Sequence, residues 1–521
     1  MHRLNGYEGR LVMVTFNDLL LALGNNIAID RSHRWRHGNF ELSGLCTDSR
    51  RATEGCVFVC LKGLNVDGHD FTDMACARGA SVIIAKHDKS IEICGNSTMV
   101  IYVADTDKAL SRIIHLFYPD PVGDLKIIGI TGTKGKTTTA LMLSHILECD
   151  GKKVGYIGTN GVIYGQKHFQ TVNTTPDMLS LYTFLEQMRC DGVEYVVLEV
   201  SSQGLWKRRI AGLRFEAVVF TNIYEDHIGG VEHPSFKHYF NSKAQLFLKY
   251  EAKHVIFNAD ARRFTGVFRQ LEKSKLIPFS VEREIGTHAR DVKSSWGEDG
   301  FGISFTYVTR CGGEHDIYIP MLGEYNVYNA LAAICTAHAL GVDPDTARLA
   351  IKDVCVSGRG EVFRSNSGAV FIIDYAHNEE SLTEVLKSIR LYRPRKLYCI
   401  VGSVGGRSES RRYGIGRAAA LNADYTILTA DNPDYEPIPK ICEDIRAAFL
   451  ELGLEEHCRI CCSRKEAIEL AHGLAGDGDI VLLAGKGHEK YQLISGERIP
   501  FSEREILEQL SRDAAPIEEL V

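Results

Sequence analysis

The sequence predicts an α/β protein of three domains. Apolar runs of strand length alternate with amphipathic helical stretches along most of the chain. Two breaker clusters interrupt that alternation, and 521 residues are too many for one hydrophobic core.

The elements follow in order. "CVFVCLKG", "ASVIIA" and "MVIYVAD" read as strands, and "FTDMACARG" and "TDKALSRIIHLFY" as helices. The Pro, Gly and Asp of "FYPDPVGD" then close an N-terminal α/β domain over residues 1–120. A second unit begins with the strand "LKIIGI", a glycine-rich loop and the helix "TTTALMLSHILECDG". "YVVLEV" and "AVVFTNI" supply further buried strands, as in a mostly parallel sheet around a phosphate loop. From "SVEREIGTHARDVKSSWGEDGFGISFTYV" the pattern turns β-like and irregular, and "VCVSGRGEVF" marks the second boundary. The central domain thus spans 121–356. Over 357–521, "AVFIIDYAHN", "KLYCIVGSVGG", "ADYTILTADNP" and "GDIVLLAGKGHE" repeat one scheme, a buried strand ending in small or polar residues. That is the pattern of a Rossmann-like, doubly wound sheet with its site at the strand C-termini.

Bulk properties exclude several classes. A hydrophobic content of 45% with 24% charged residues is that of an ordinary globular protein. The formal charge of −7 argues against general affinity for nucleic acid, though a local site for a small anion stays open. "MHRLNGYEGRLVMVTFNDLL" has no continuous apolar core and no small-residue cleavage site, so no signal peptide is expected. No segment reaches the roughly eighteen apolar residues of a membrane span. The expectation is a cytoplasmic monomer with neither nucleic-acid nor membrane partners, its 15 cysteines reduced.

"HCRICC" (457–462) contains a C-x-x-C spacing that could bind zinc. No second ligand pair follows at a convincing distance, so thiols of a short buried strand leading into "RKEAIELAHGLA" are the preferred reading. Cys56 and Cys60 in "CVFVCL" read the same way.

The loop in "KIIGITGTKGKTTTALM" (126–142) carries the first chemistry. Only Thr133 and Lys134 separate Gly132 from Gly135, where the usual phosphate loop has four residues before its Gly-Lys-Thr. Strand, glycine-rich turn and helix are still the context that points backbone N–H groups and a positive helix end at phosphates. Lys136 would supply charge, and the Thr137 hydroxyl is placed to hold magnesium. Glu199 ends the strand "YVVLEV", and His227 follows another buried strand in "FTNIYEDHIGG". Parallel strands bring such ends to one sheet edge, where a carboxylate suits a hard cation. Either residue alone would read as a helix cap or a loop histidine.

Together these residues resemble the Mur ligases, ATP-dependent amide-forming enzymes of peptidoglycan precursor synthesis. The family's variant loop, G-T-x-G-K-T-[ST], matches Gly132, Thr133, Lys134, Gly135, Lys136, Thr137 and Thr138 without a gap. More narrowly, the motifs resemble the MurE branch, the UDP-N-acetylmuramyl-tripeptide synthetases. "TDSRRATEGCVFVCLKGLNVDGHDF" (47–71) looks like that branch's uridine-binding domain. "NTTPD" (173–177), "EVSSQGL" (199–205), "LGEYNVYNALAA" (322–333), "GRGEVF" (358–363), "DYAHN" (374–378), "DNP" (431–433) and "GKGHEKYQ" (485–492) follow in the family's order.

The resemblance implies that ATP phosphorylates the free carboxylate of UDP-MurNAc-L-Ala-D-Glu and that an amino acid's amine then attacks the acyl phosphate. Two magnesium ions would screen the polyanions. Lys136 would contact the β/γ-phosphates, Thr137 and Glu199 one magnesium, and His227 the second. Lys243, in "HYFNSKAQLF", matches the lysine that the family carbamylates to N6-carboxylysine, a metal ligand. Read alone it would be a solvated helix lysine. Asn326 and Asn329 would approach adenine, and Arg359 and Asp374 the phosphates and ribose. Thr174, Thr175, Ser201 and Arg209 match residues that bind the muramyl dipeptide, with Ser49 in the nucleotide-sugar domain. Asp431, Asn432, Asp434, Gly485 and Glu489 fall where the incoming amino acid binds.

Four departures sharpen the reading. Diaminopimelate-adding members read D-N-P-R, the arginine gripping the distal carboxylate; here the fourth residue is Asp434. An aspartate repels that carboxylate and favours a distal ammonium, which points to L-lysine or another diamino acid; a solvent-facing Asp434 would read nothing. "GGVEHPSF" replaces the usual D-Y-H-G form, and Gln203 a usual histidine. "SVGGRSESRR" (403–412) leaves Arg407 and Arg411 both open as substrate contacts. The rivals are a family paralogue with another acceptor or carboxylate substrate, such as a folylpolyglutamate-synthase-like enzyme, and a catalytically silent nucleotide-binding subunit. The intact 47–71 segment disfavours the folate version, and Lys136, Glu199, His227 and Lys243 together disfavour the silent one.

Overall fold

The computed structural model describes residues 13–29, 39–63, 66–91, 98–120, 122–225, 228–229, 233–297, 300–354 and 356–513. They form two compact units, residues 1–278 and 279–521.

Among its described residues the first unit carries two sheets of five or more strands, beside the short pair Val14–Thr15/Glu41–Leu42. The smaller has the order Ile27–Ile29, Met99–Val103, Val82–Lys86, Cys56–Val59, Gly44–Cys46, parallel except at the first strand. Helix Thr106–Phe117 starts where the Asp105 side chain accepts from Lys108 N, and buries Ala109, Leu110, Ile113 and Ile114. That i, i+1, i+4, i+5 pattern is the apolar stripe of an amphipathic helix, and each large side chain on it contributes about 1.5–3 kcal/mol. In the larger sheet five strands run parallel in the order Val154–Gly158, Tyr195–Glu199, Lys126–Thr131, Phe215–Phe220, Ala252–Asn258. Gly161–Tyr164 and Lys167–Phe169 extend it as antiparallel ribs. The run Lys126–Thr131 lies at the centre, so its C-terminal end is the topological switch point, where open α/β sheets bind ligands.

The second unit opens with the antiparallel strands Thr287–Gly297, Gly300–Val308 and Glu314–Ile319, the β-like stretch of the sequence. Helices Tyr325–Ala339 and Pro344–Lys352 follow. A six-stranded sheet then has the order Arg359–Arg364, Val370–Asp374, Ile480–Ala484, Leu397–Val401, Tyr425–Leu428, Cys458–Ile460, all parallel but the first. Its strands read as continuous apolar runs because both faces are covered. Ile372, Cys399 and Leu482 pack into one core, and Phe371, Ile400 and Leu483 into the other. Helix Glu379–Arg390 shows how the sequence makes one cover. Asn378 and Ser381 form its capping box, glutamates fill the first turn, and Leu382, Val385, Leu386 and Ile389 are buried.

The expected buried strand at "HCRICC" is corrected. Cys458–Ile460 is the edge of the sheet, half-buried with Arg459 exposed. Cys458 and Cys461 each donate to a backbone carbonyl, of Glu455 and Ser463. Among the described residues no helix is long and apolar enough to cross a membrane.

Candidate active site

The loop after Lys126–Thr131 is held from below by the neighbouring strand end. Thr133 N donates to Asn222 O (3.0 Å), Lys134 N to Asn222 Oδ1 (2.9 Å), and Thr221 Oγ1 to Lys134 O (2.7 Å). A side chain at Gly132 would collide with Thr221 Oγ1. Gly135 takes φ +81, a left-handed turn that lets helix Lys136–Cys149 start at once with its N–H groups facing the loop. Lys136 Nζ donates to Gly132 O and Thr133 O, both at 3.0 Å. Thr138 is buried behind the loop.

Lys243 is not the solvated lysine its helical context predicts. It is 1% exposed, its Nζ donates to Gly132 O at 2.7 Å and lies 4.7 Å from the centre of the Tyr239 ring. Two lysine side chains therefore share one loop carbonyl. Tyr239 in turn donates to Thr133 Oγ1 (2.8 Å), tying helix Phe236–Leu248 to the loop.

Glu199, wholly buried, accepts four hydrogen bonds. Thr137 Oγ1 (3.0 Å) and Thr159 Oγ1 (3.2 Å) donate to Oε2, and Tyr156 OH (2.5 Å) and Thr159 N (3.0 Å) to Oε1. A hydroxyl and a fixed carboxylate on a parallel-sheet edge are the oxygen donors that a hard cation takes, so this pair fits magnesium.

The dipeptide residues join the same network. Thr174 Oγ1 lies 3.2 Å from Thr159 Oγ1, and Thr175 Oγ1 donates to Glu199 O (2.8 Å) and Ser201 Oγ (3.1 Å). Arg209 Nη1 donates to Thr175 O (2.8 Å), and burial lowers its pKa. Gln203 lies in the short helix Ser202–Trp206. Ser49 is buried in the smaller sheet's domain, donating to Met74 Sδ. His227 lies outside the described residues.

The second unit gathers the others. Asn326 and Asn329 are buried on Tyr325–Ala339 and bonded to each other (2.8 Å). Arg359 pairs in register with Asp374 and stacks over Tyr375 at 4.5 Å. Burial raises the Asp374 pKa while the Arg359 charge opposes that rise. Asp431 and Asn432 lie on the loop after strand Tyr425–Leu428, and Gly485 follows strand Ile480–Ala484. Between them Lys486, fully buried, reaches Asn432 Oδ1 (3.0 Å), Glu489 Oε2 (3.2 Å) and Asp431 Oδ1 (3.5 Å). Asn432 Nδ2 completes the set on Glu489 Oε2 (2.8 Å). Lys486, Tyr156 and Thr159 were missed in the sequence. The one signal for Lys486 is a lysine between two glycines at a strand's C-terminal end.

Asp434 has a use within the fold. At φ +51 it bonds Leu493 and Ser495 through its backbone, and its Oδ1 accepts from Gly496 N (2.8 Å). It thereby anchors the hairpin Tyr491–Ile494/Glu497–Pro500. Arg411 and Arg412 lie in helix Glu409–Asn422, and Arg412 is clamped at 1% exposure between Glu436 and Asp444. Arg407 is exposed, and Arg411 Nη2 reaches His377 O at 3.4 Å.

His377 and His488 flank Tyr375, with ring centroids at 4.8 and 5.3 Å. Burial, with Arg359 adding to it, lowers both from 6.5 to about 4. Between those values the unfolded chain binds more protons, so each group costs stability as pH falls below its unfolded pKa. The melting temperature of His488→Gln should therefore decline less than wild type from about pH 7 to about pH 4.5 by calorimetry.

Comparisons with known proteins fit this geometry. The Mur ligase middle domain matches residues 130–337, the Mur ligase glutamate ligase domain 358–487, and the Mur ligase family catalytic domain 41–118. A UDP-N-acetylmuramoyl-L-alanyl-D-glutamate--2,6-diaminopimelate ligase of Geobacillus kaustophilus is 35% identical over 91% of this chain and 96% of its own. The chain belongs to the Mur ligase family. A ligase of the same name from Clostridium perfringens is 36% identical over 88% of this Mur ligase and 93% of its own length. Among solved structures, one of that ligase aligns with TM-score 0.64 at 26% identity, covering 97% of this chain and all of the other. MurF from Acinetobacter baumannii, at 19% identity and TM-score 0.62 over 96% of this chain and all of its own, shares the fold. The resemblance read from the motifs is thus established, as are the α/β Mur ligase fold and membership of the ligase class, close to MurE.

Proposed function

We propose that this protein is an ATP- and magnesium-dependent ligase of peptidoglycan precursor synthesis, acting in the cytoplasm as a monomer. It adds a diamino acid to UDP-N-acetylmuramoyl-L-alanyl-D-glutamate through an acyl phosphate. The observation that carries this reading is the continuous chain Thr137–Glu199–Thr159–Thr174, which links the phosphate loop to the dipeptide residues. Thr137 and Glu199 would hold a magnesium ion, with His227 and a carbamylated Lys243 on a second; magnesium supplies charge screening for the phosphates. Gly132 to Thr138 cradle the nucleotide's phosphates through backbone N–H groups, and Lys136 adds charge. Asn326, Asn329, Arg359 and Asp374 are the second unit's nucleotide contacts. Thr174, Thr175, Ser201 and Arg209 orient the dipeptide carboxylate, Ser49 faces the nucleotide sugar, and Asp431, Asn432, Gly485 and Glu489 receive the amino acid. The division into 1–120, 121–356 and 357–521 follows these roles, and each family match falls inside one of the three.

L-Lysine is the proposed acceptor. Asp434 stands where a distal carboxylate would need a cation, two residues after Asn432. The activity of the relatives favours a second reading, 2,6-diaminopimelate. Initial rates of phosphate release with L-lysine, meso-diaminopimelate and L-ornithine decide between them. The highest rate is expected with L-lysine, by about tenfold or more over diaminopimelate, the size of one unfavourable charge contact of about 1.4 kcal/mol. A preference for diaminopimelate establishes the second reading, and no release with any acceptor returns the silent-subunit reading.

A further inference from the structure

We propose that Tyr156 and Thr159 are positioning residues that hold the Glu199 carboxylate in one orientation and thereby set the site's affinity for a divalent cation. The proposal rests on the reading of Thr137 and Glu199 as cation ligands. Tyr156 pairs in register with Val197 on the adjacent parallel strand, so its side chain leaves the sheet on the face that Glu199 uses two residues later. It is 3% exposed. Asn160 N donates to the phenol oxygen (3.2 Å), which leaves the phenol's own proton for Glu199 Oε1 at 2.5 Å. Thr159 N supplies the second donor to the same oxygen. A side chain at Gly158 would collide with both Oε1 and the Tyr156 hydroxyl, so the strand end is packed directly against the carboxylate.

One oxygen is thus committed to Tyr156 and the Thr159 backbone. The other, Oε2, is turned to Thr137 Oγ1, with Thr159 Oγ1 as its second donor. Hydrogen bonds to an ionised acceptor are the strong class, and donors behind a ligating carboxylate commonly govern metal affinity. A phenylalanine at 156 would fill the same space without the proton, so core packing alone would not notice the change.

The experiment titrates Mn2+, as a spectroscopic stand-in for magnesium, into the protein with saturating ADP, reading free Mn2+ by electron paramagnetic resonance. Tyr156→Phe should remain folded and bind Mn2+ about tenfold more weakly than wild type. Glu199→Gln is the control. If it loses Mn2+ binding while Tyr156→Phe matches wild type, the positioning role is overturned and the cation site stands. If Glu199→Gln binds as wild type does, the cation reading fails and takes the proposal with it. Should Tyr156→Phe not fold, Thr159→Ala approaches the same carboxylate from Oε2; weakened binding supports the cradle, and unchanged binding overturns it.

Discussion

Lys243→Ala is expected to lower the rate of ADP-forming amide synthesis by about a hundred- to a thousandfold if Lys243 has the proposed role of a carbamylated magnesium ligand, the size of losing one charge-stabilising group. Lys243 is buried against the phosphate loop, where its Nζ donates to the Gly132 carbonyl and lies over the Tyr239 ring. A neutral amine is the form that adds to carbon dioxide, forming an N–C bond and losing a proton to leave an anionic carbamate. Part of the lost activity of Lys243→Ala should return with an added short-chain carboxylic acid, measured as initial phosphate release. Full activity without rescue would refute a catalytic role for the residue. Loss without rescue would leave it as a cation.

Arg464→Met is expected to destabilise the second unit by about 3–5 kcal/mol, because it leaves a buried carboxylate without its partner. Arg464 and Glu503 are 0% and 1% exposed in their side chains and meet at 2.8 Å. Burial raises the Glu503 pKa, and Arg464, with a smaller part from Lys486, opposes that rise. The guanidinium also donates to Ala430 O (3.3 Å) and Ala484 O (2.8 Å), the residues just before Asp431 and Gly485. The variant should therefore raise the KM for the amino acid as well as lower the denaturant midpoint. Replacing both partners, as Arg464→Met with Glu503→Leu, should recover most of the stability, since no buried charge remains. An unchanged midpoint in the single variant would show the pair to be dispensable.

These two side chains mark the limit of what was legible. The sequence by itself determined the α/β class, the alternation of strand and helix, and the phosphate loop. Each depends on residues within one turn or one strand of each other, such as Gly132 with Lys136 or the buried spacing of Leu382 and Leu386. Glu199 was readable because a strand's last residue lies on the ligand edge wherever the sheet is parallel. Tertiary structure alone decided the rest. Strand order placed Tyr156 beside Glu199 across 43 residues, Lys486 beside Asn432 across 54 and Arg464 beside Glu503 across 39. It turned Lys243 inward, made Cys458–Ile460 an edge, and gave Asp434 a hairpin to hold. Burial and charge partners belong to the assembled sheet, and no local pattern of residues encodes which strand will lie beside which.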